Sequence, residues 1–95
     1  MIDFQWDERK NGANTVKHGV SFEEAKSVFF DEFARLIPDP DHSATEDRFI
    51  LLGMSSKLRV LTVVHCYKCN ETTIRIISAR RASRKEKNQY EEYIK

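Results

Sequence analysis

The sequence predicts an α+β domain in which an antiparallel sheet is packed by helices, and three observations predict it. Two helical segments with capping residues follow a short N-terminal strand pattern; three β-rich runs then lie close enough together to pair as a meander; the end of the chain returns to a helical pattern. With 95 residues the chain is expected to be a single domain, residues 1–95, near the lower limit at which a core forms without disulfides or metal.

The expected order is β-α-α-β-β-β(-β)-α. Residues 2–6, IDFQW, alternate apolar and polar side chains as a strand does. Asp7 is the N-cap of a first helix and Gly19 its C-terminal stop, although Asn11, Gly12, Asn14 and Thr15 all disfavour a helix interior. A second helix over 21–31 starts at Ser21, with Glu24 placed to complete a capping box and Val20 to staple onto Ala25. Its Phe22, Ala25, Val28 and Phe29 share one face that must pack on something apolar.

The β-runs follow. Residues 34–40 form a short strand that Pro38 and Pro40 confine to an edge. Residues 47–54 and 58–67 are strong strands joined by a Ser-Ser-Lys turn, and 72–79 is the last strand. By alternation Arg59, Leu61, Val63 and His65 share a face, as do Thr73, Arg75, Ile77 and Ala79. From Ser83 onward the chain is helical, and its few apolar residues are Ala82, Tyr90 and Tyr93. One sheet face is expected under the second helix and the other at least partly open.

A formal net charge of +1 conceals a strong asymmetry: residues 1–47 carry net −6 and residues 48–95 net +7. A basic half on a near-neutral protein suits a confined surface that neutralises a few phosphates; equally, the two halves can pair with each other in the fold. No apolar run approaches a membrane span, and acidic residues stand where a signal peptide would be positive, so a cytoplasmic protein is expected. Cys66 and Cys69 lack the further ligands a zinc site needs and are expected to be reduced thiols, with no metal and no cofactor.

Several motifs stand in a specific order: FQWD at 4–7, Lys10, Asn14, KHGVSFEEA at 17–25, Phe29, Asp31, EDR at 46–48, Gly53, and IRIISARRA at 74–82 followed by Glu86 and Tyr90. Together they resemble the BrnT family of type II toxin–antitoxin systems over nearly the whole chain. The resemblance implies a RelE-like ribonuclease toxin fold and an RNA-cleaving toxin that inhibits translation. It also implies a cognate BrnA-like antitoxin with a ribbon-helix-helix region, a hetero-oligomer of the two, and contact with operator DNA only through that complex.

RNA is cut without metal when its own 2′-hydroxyl attacks the adjacent phosphorus. The enzyme then needs a base, an acid and cations for the phosphorane. Arg48, Arg75 and Arg80 are the candidate phosphate-gripping side chains, because a guanidinium fork stays charged and holds two phosphate oxygens at once. His18 is the candidate for proton transfer, or else a cap on the last carbonyls of its helix. Glu46 either acts as base or orients Arg48, and orientation is favoured because neighbouring arginines make a carboxylate a poor base. Lys10, Lys17, Arg59, Arg81 and Tyr90 complete the expected RNA contacts, Tyr90 by stacking unless it belongs to the core. Trp6 and Phe29 are assigned to the core, and His65, sharing the face of Arg59, is a minor candidate acid. The alternative function is a non-catalytic RNA- or operator-binding subunit, which has no use for His18, Glu46 and Arg80; a structural docking protein is a third.

Overall fold

The computed structural model describes residues 2–39, 48–68 and 72–94. Five strands form one sheet in the order β1-β5-β4-β3-β2, where β1 is Asp3–Gln5, β2 Arg35–Pro38, β3 Arg48–Met54, β4 Val60–Lys68 and β5 Thr73–Arg81. The three helices are α1, Glu8–His18, α2, Phe22–Ser27, and α3, Arg84–Tyr93. The meander and the edge position of the proline-bounded strand are as expected. The sheet is not wholly antiparallel: β1 pairs parallel to β5 through Phe4 and Ile74, beside the last strand in sequence.

Local chemistry sets the helix ends. The Asp7 carboxylate accepts from the Arg9 and Lys10 amides, and Gly19 closes α1 at φ +69, a conformation that a side chain would strain. The second helix is shorter than expected. Ser27 Oγ donates back to the Glu24 carbonyl at 2.5 Å and accepts from the Ser56 amide, which bends the helix into a 3-10 turn at Val28–Phe30. Ser21 caps α2, but the Glu24 side chain does not complete the box; it turns inward to Ser55 and Arg59. A complete capping box forms instead at Ser83 and Glu86, opening α3.

The core lies on one face of the sheet. Val20, Phe22, Ala25 and Val28 bury themselves against Leu51, Leu61, Val63, Ile74, Ile76 and Ala79, with Trp6 and Phe29 packed at the margin. Each of the larger side chains among them, the valines, leucines, isoleucines and Phe22, contributes about 1.5–3 kcal/mol when withdrawn from water. Gly53 is required there, since a Cβ would come within 2.9 Å of Ala34 Cβ and Val28 Cγ1. A smaller cluster of Leu52, Val60 and Tyr90, with Met54 and Ala82, lies where α3 meets the opposite face.

One irregularity decides what that open face displays. Val64 pairs with Ser78 but His65 pairs with Ile76, so Ile77 is an extra residue in β5. Strict alternation would put Arg75 and Ala79 on one face and Arg80 on the other. The bulge reverses parity between them: Ala79 enters the core, and Arg75 and Arg80 share the open face. The expectation that Thr73, Arg75, Ile77 and Ala79 share a face therefore fails at Ile77.

Candidate functional site

Register aligns the open face in cross-strand rows. Arg48 lies opposite Cys66, which lies opposite Arg75; the next row is Ile50, Val64 and Ser78, and the next Leu52, Thr62 and Arg80. Neighbouring strands are about 4.8 Å apart, so Arg48 and Arg75 stand on either side of Cys66 with backbones about 10 Å apart, a spacing that two long side chains can bridge to one phosphate. A cleft of about 390 Å³ opens over this row, and Lys10 and Lys68 join the two arginines in lining it. A smaller hollow of about 70 Å³ adjoins along β5 and brings His18 together with Ser78, Ala79 and Arg80.

How α1 comes to border this face is visible at Asn14. Among the described residues no strand pairs with the outer edge of β5 beyond Arg75, because β1 ends at Gln5. The Asn14 carboxamide takes the place of a strand, donating to the Ala79 carbonyl at 2.8 Å and accepting from its amide at 3.1 Å. Helix α1 consequently runs along the sheet edge, with Lys10 before the clamp and His18 after it.

Arg80 is already engaged. Both its terminal nitrogens bond the Glu86 carboxylate, at 2.9 and 3.0 Å, and Nη1 also donates to the Arg81 carbonyl. The Arg80 hydrogen bond is the largest influence on Glu86 and holds its carboxyl below the usual range, against a smaller opposing effect of burial. Among the described residues no such ion pair is found at Arg75.

Other expected contacts are placed elsewhere. Arg59 shares the face of Leu61, Val63 and His65 as alternation requires, but that is the covered face; its guanidinium pairs with buried Glu24 and donates to the Gly19 carbonyl. Burial pushes the Glu24 carboxyl up, yet the hydrogen bonds of Arg59 and Ser55 outweigh it and leave the group below its usual value. Tyr90 is a core residue whose ring is not available to a base: it is 2% exposed and its hydroxyl donates to Asp31 at 2.6 Å. Burial, then Asp31, raises that phenol to about 12.

His65 is buried completely among Phe29, Phe49 and Tyr67, and burial lowers its pKa, so it is a neutral core imidazole. Lys17 is exposed in the last turn of α1, and Arg81 is exposed at the end of β5. Glu46 and Cys69 lie outside the described residues; Cys66 is a free thiol. Among the described residues no three His, Cys, Asp or Glu side chains gather as a metal site would require, and no helix is long and apolar enough to cross a membrane.

Residue-by-residue reading assigns no role to Asn14, Asp31 or Lys68, although Asn14 and Asp31 stand among the motif residues. Asn14 carried a usable signal, being a poor helix former inside a helix. Asp31 accepts from the Met54 and Phe33 amides as well as from Tyr90, joining the 3-10 turn to β3 and α3, and nothing in its sequence surroundings announces that.

Comparison with known proteins places this geometry. A family model described as the ribonuclease toxin BrnT of type II toxin–antitoxin systems matches residues 6–86. The 1.1 Å crystal structure of the Brucella abortus ribonuclease toxin BrnT superposes with a TM-score of 0.68 at 24% identity, covering 88% of this chain and 100% of that one, a likeness of fold. No curated protein matches.

Proposed function

The chain belongs to the BrnT family of ribonuclease toxins of type II toxin–antitoxin systems, and from that premise we propose that it cuts RNA on the open face of its sheet, without metal, by attack of the substrate's own 2′-hydroxyl. The observation that carries the reading is the row Arg48, Cys66, Arg75 beneath a cleft also lined by Lys10 and Lys68, with His18 and Arg80 in the adjoining hollow. Four cations around one cleft suit a phosphodiester and its neighbours better than a neutral ligand.

In this reading Arg48 and Arg75 grip the non-bridging oxygens and stabilise the charge that grows on them. The 2′-oxygen bonds to phosphorus as its proton leaves, the 5′-oxygen departs and gains a proton, and a 2′,3′-cyclic phosphate remains. His18, in the adjoining hollow, is the proton-transfer group in this reading. Arg80, whose pair with Glu86 is partly exposed, exchanges that carboxylate for the phosphate. Lys10, Lys17, Lys68 and Arg81 supply less specific attraction to the strand.

Type II membership implies an antitoxin partner. We propose that it is a ribbon-helix-helix protein that masks the arginine face, and that operator DNA is reached only through the complex. Ribonuclease membership favours this reading over a non-catalytic binding subunit, since the same cations would serve both but only cleavage needs His18.

The test is the purified toxin on an oligoribonucleotide in excess EDTA, with the ends analysed. Products bearing 2′,3′-cyclic phosphate are expected, and an all-2′-deoxy substrate stays whole. RNA left intact, both naked and on translating ribosomes, overturns the reading; cleavage abolished by EDTA alone overturns its metal independence.

A further inference from the structure

We propose that Asn14 is a positioning residue for the cleavage step, holding the His18 imidazole beside Arg80 by clamping α1 to the edge of β5; this rests on the ribonuclease reading above. The side chain is buried, at 8% exposure, and makes three hydrogen bonds. Its Nδ2 donates to the Val20 and Ala79 carbonyls, each at 2.8 Å, and its Oδ1 accepts from the Ala79 amide. Both donor hydrogens are thus used, as a buried carboxamide requires.

Position links this clamp to the chemistry. His18 lies four residues after Asn14, on the same side of α1. Ala79, which Asn14 grips by both backbone groups, stands between Ser78 and Arg80, and these two share the hollow with His18. The second carbonyl, that of Val20, fixes the chain just after the Gly19 turn. His18 is therefore bracketed by the amide on one side and by its anchored continuation on the other. The hollow measures only about 70 Å³, and a displacement of about 1 Å between reacting groups can slow an enzyme about a hundredfold.

Residue type supports the assignment. A carboxamide presents a donor and an acceptor side by side, as a peptide group does at a strand edge, whereas aspartate would set a carboxylate against two carbonyl oxygens, and alanine would take the partner from both Ala79 backbone groups and leave the Val20 carbonyl only the longer bond from the Thr15 hydroxyl. Helix propensity argues against asparagine at this place, so its presence needs a local reason. Anchoring the sheet edge satisfies that need, and the register of His18 against Arg80 comes with it.

The test is a double-mutant cycle of Asn14→Ala and His18→Gln, read as single-turnover cleavage of an oligoribonucleotide and as affinity for its non-cleavable 2′-O-methyl analogue. Asn14→Ala is expected to slow cleavage roughly thirtyfold while affinity for the analogue changes less than about threefold, because Arg48 and Arg75 are untouched. In the His18→Gln background the same substitution should cause less than about a twofold further loss, since the clamp acts through the imidazole.

Equal losses in both backgrounds, or a wild-type cleavage rate in a folded Asn14→Ala protein, overturn the proposal and leave the ribonuclease reading standing. His18→Gln cleaving at the wild-type rate removes the proton-transfer role from His18, and this proposal with it. Should Asn14→Ala fail to fold, Asn14→Thr, whose hydroxyl can still bond one Ala79 group, carries the same cycle with an intermediate loss expected.

Discussion

Two Arg–Glu pairs among the described residues share their chemistry and differ in their work. On the covered side Glu24 has a side chain 1% exposed, and Arg59 and the Ser55 hydroxyl bond it, so that α2 is joined to the β3–β4 turn. On the open side Arg80 and Glu86 are 47% and 26% exposed, and their pair closes the N-terminus of α3 over the end of β5. A carboxylate taken out of water must keep its partner, whereas one in contact with water can exchange it. The first arginine is therefore committed to the fold, while the second remains available to a phosphate.

The contrast breaks most visibly at Glu24. Replacing it with alanine leaves the Arg59 guanidinium only the Gly19 carbonyl and takes the carboxylate from the Ser55 hydroxyl, and is expected to destabilise the protein by about 2–3 kcal/mol. Urea unfolding measures this, and a loss under about 1 kcal/mol would remove the distinction between the pairs. The acid limb gives a second measure. Glu24 and Glu86 both have folded-state values below the usual carboxylate value of 4.5, so each contributes stability that is present above that pH and lost as pH falls through the lowered value. Glu24→Gln and Glu86→Gln should each flatten the fall in stability below pH 4.5, and an unchanged acid limb in either variant would mean that its arginine does not hold that carboxylate ionised.

Arg75 extends the comparison to an arginine with no carboxylate partner among the described residues. Arg75→Ala should lower the cleavage rate about 10²–10³-fold, as loss of one transition-state donor does, while melting stays within a few degrees of wild type. Arg59→Ala is expected to unfold the protein before its effect on cleavage can be read. If the two variants exchange behaviour, the open face is not where RNA is held.

Which arginine belongs to which class could be read from sequence only in part. The caps at Asp7, Ser21 and Gly19, the strand runs and the edge proline are local signals, and local physics acted on them as expected. The faces of Arg59 and His65 also followed from alternation, though which face α2 would cover did not. What was not legible depended on long-range register. One extra residue at Ile77 brings Arg75 and Arg80 to the same side, and no residue type at 76–78 announces a bulge. Glu24 sits at a capping-box position and would have closed the box had Arg59 and Ser55 not been brought within reach by a distant turn. The sequence leaves Tyr90 between core and stacking, and Asp31, far away in sequence, decides for the core by accepting from its hydroxyl.

A smaller effect is expected at Glu86. Glu86→Ala removes a partly exposed ion pair and one arm of the α3 capping box, together about 1 kcal/mol. It also releases Arg80, so affinity for a non-cleavable RNA analogue should rise a few-fold and its dependence on salt should steepen by about one released counterion. Unchanged affinity and salt slope would mean that Arg80 never leaves α3, and both pairs would then be structural.

The smallest effect is expected at the turn that supports the buried pair. Ser55 accepts the Leu58 amide on its carbonyl and donates its own amide to the Arg59 carbonyl, which leaves Leu58 at φ +60 with its side chain 81% exposed. A left-handed conformation costs a leucine roughly 1–2 kcal/mol, whereas asparagine adopts it with a smaller penalty and places no apolar group in water. Leu58→Asn should therefore stabilise the protein by about 0.5–1 kcal/mol without altering the acid limb that Glu24 sets. A loss of stability would mean that the leucine side chain contributes to the turn, and that the Glu24–Arg59 pair is held against less strain than the backbone indicates.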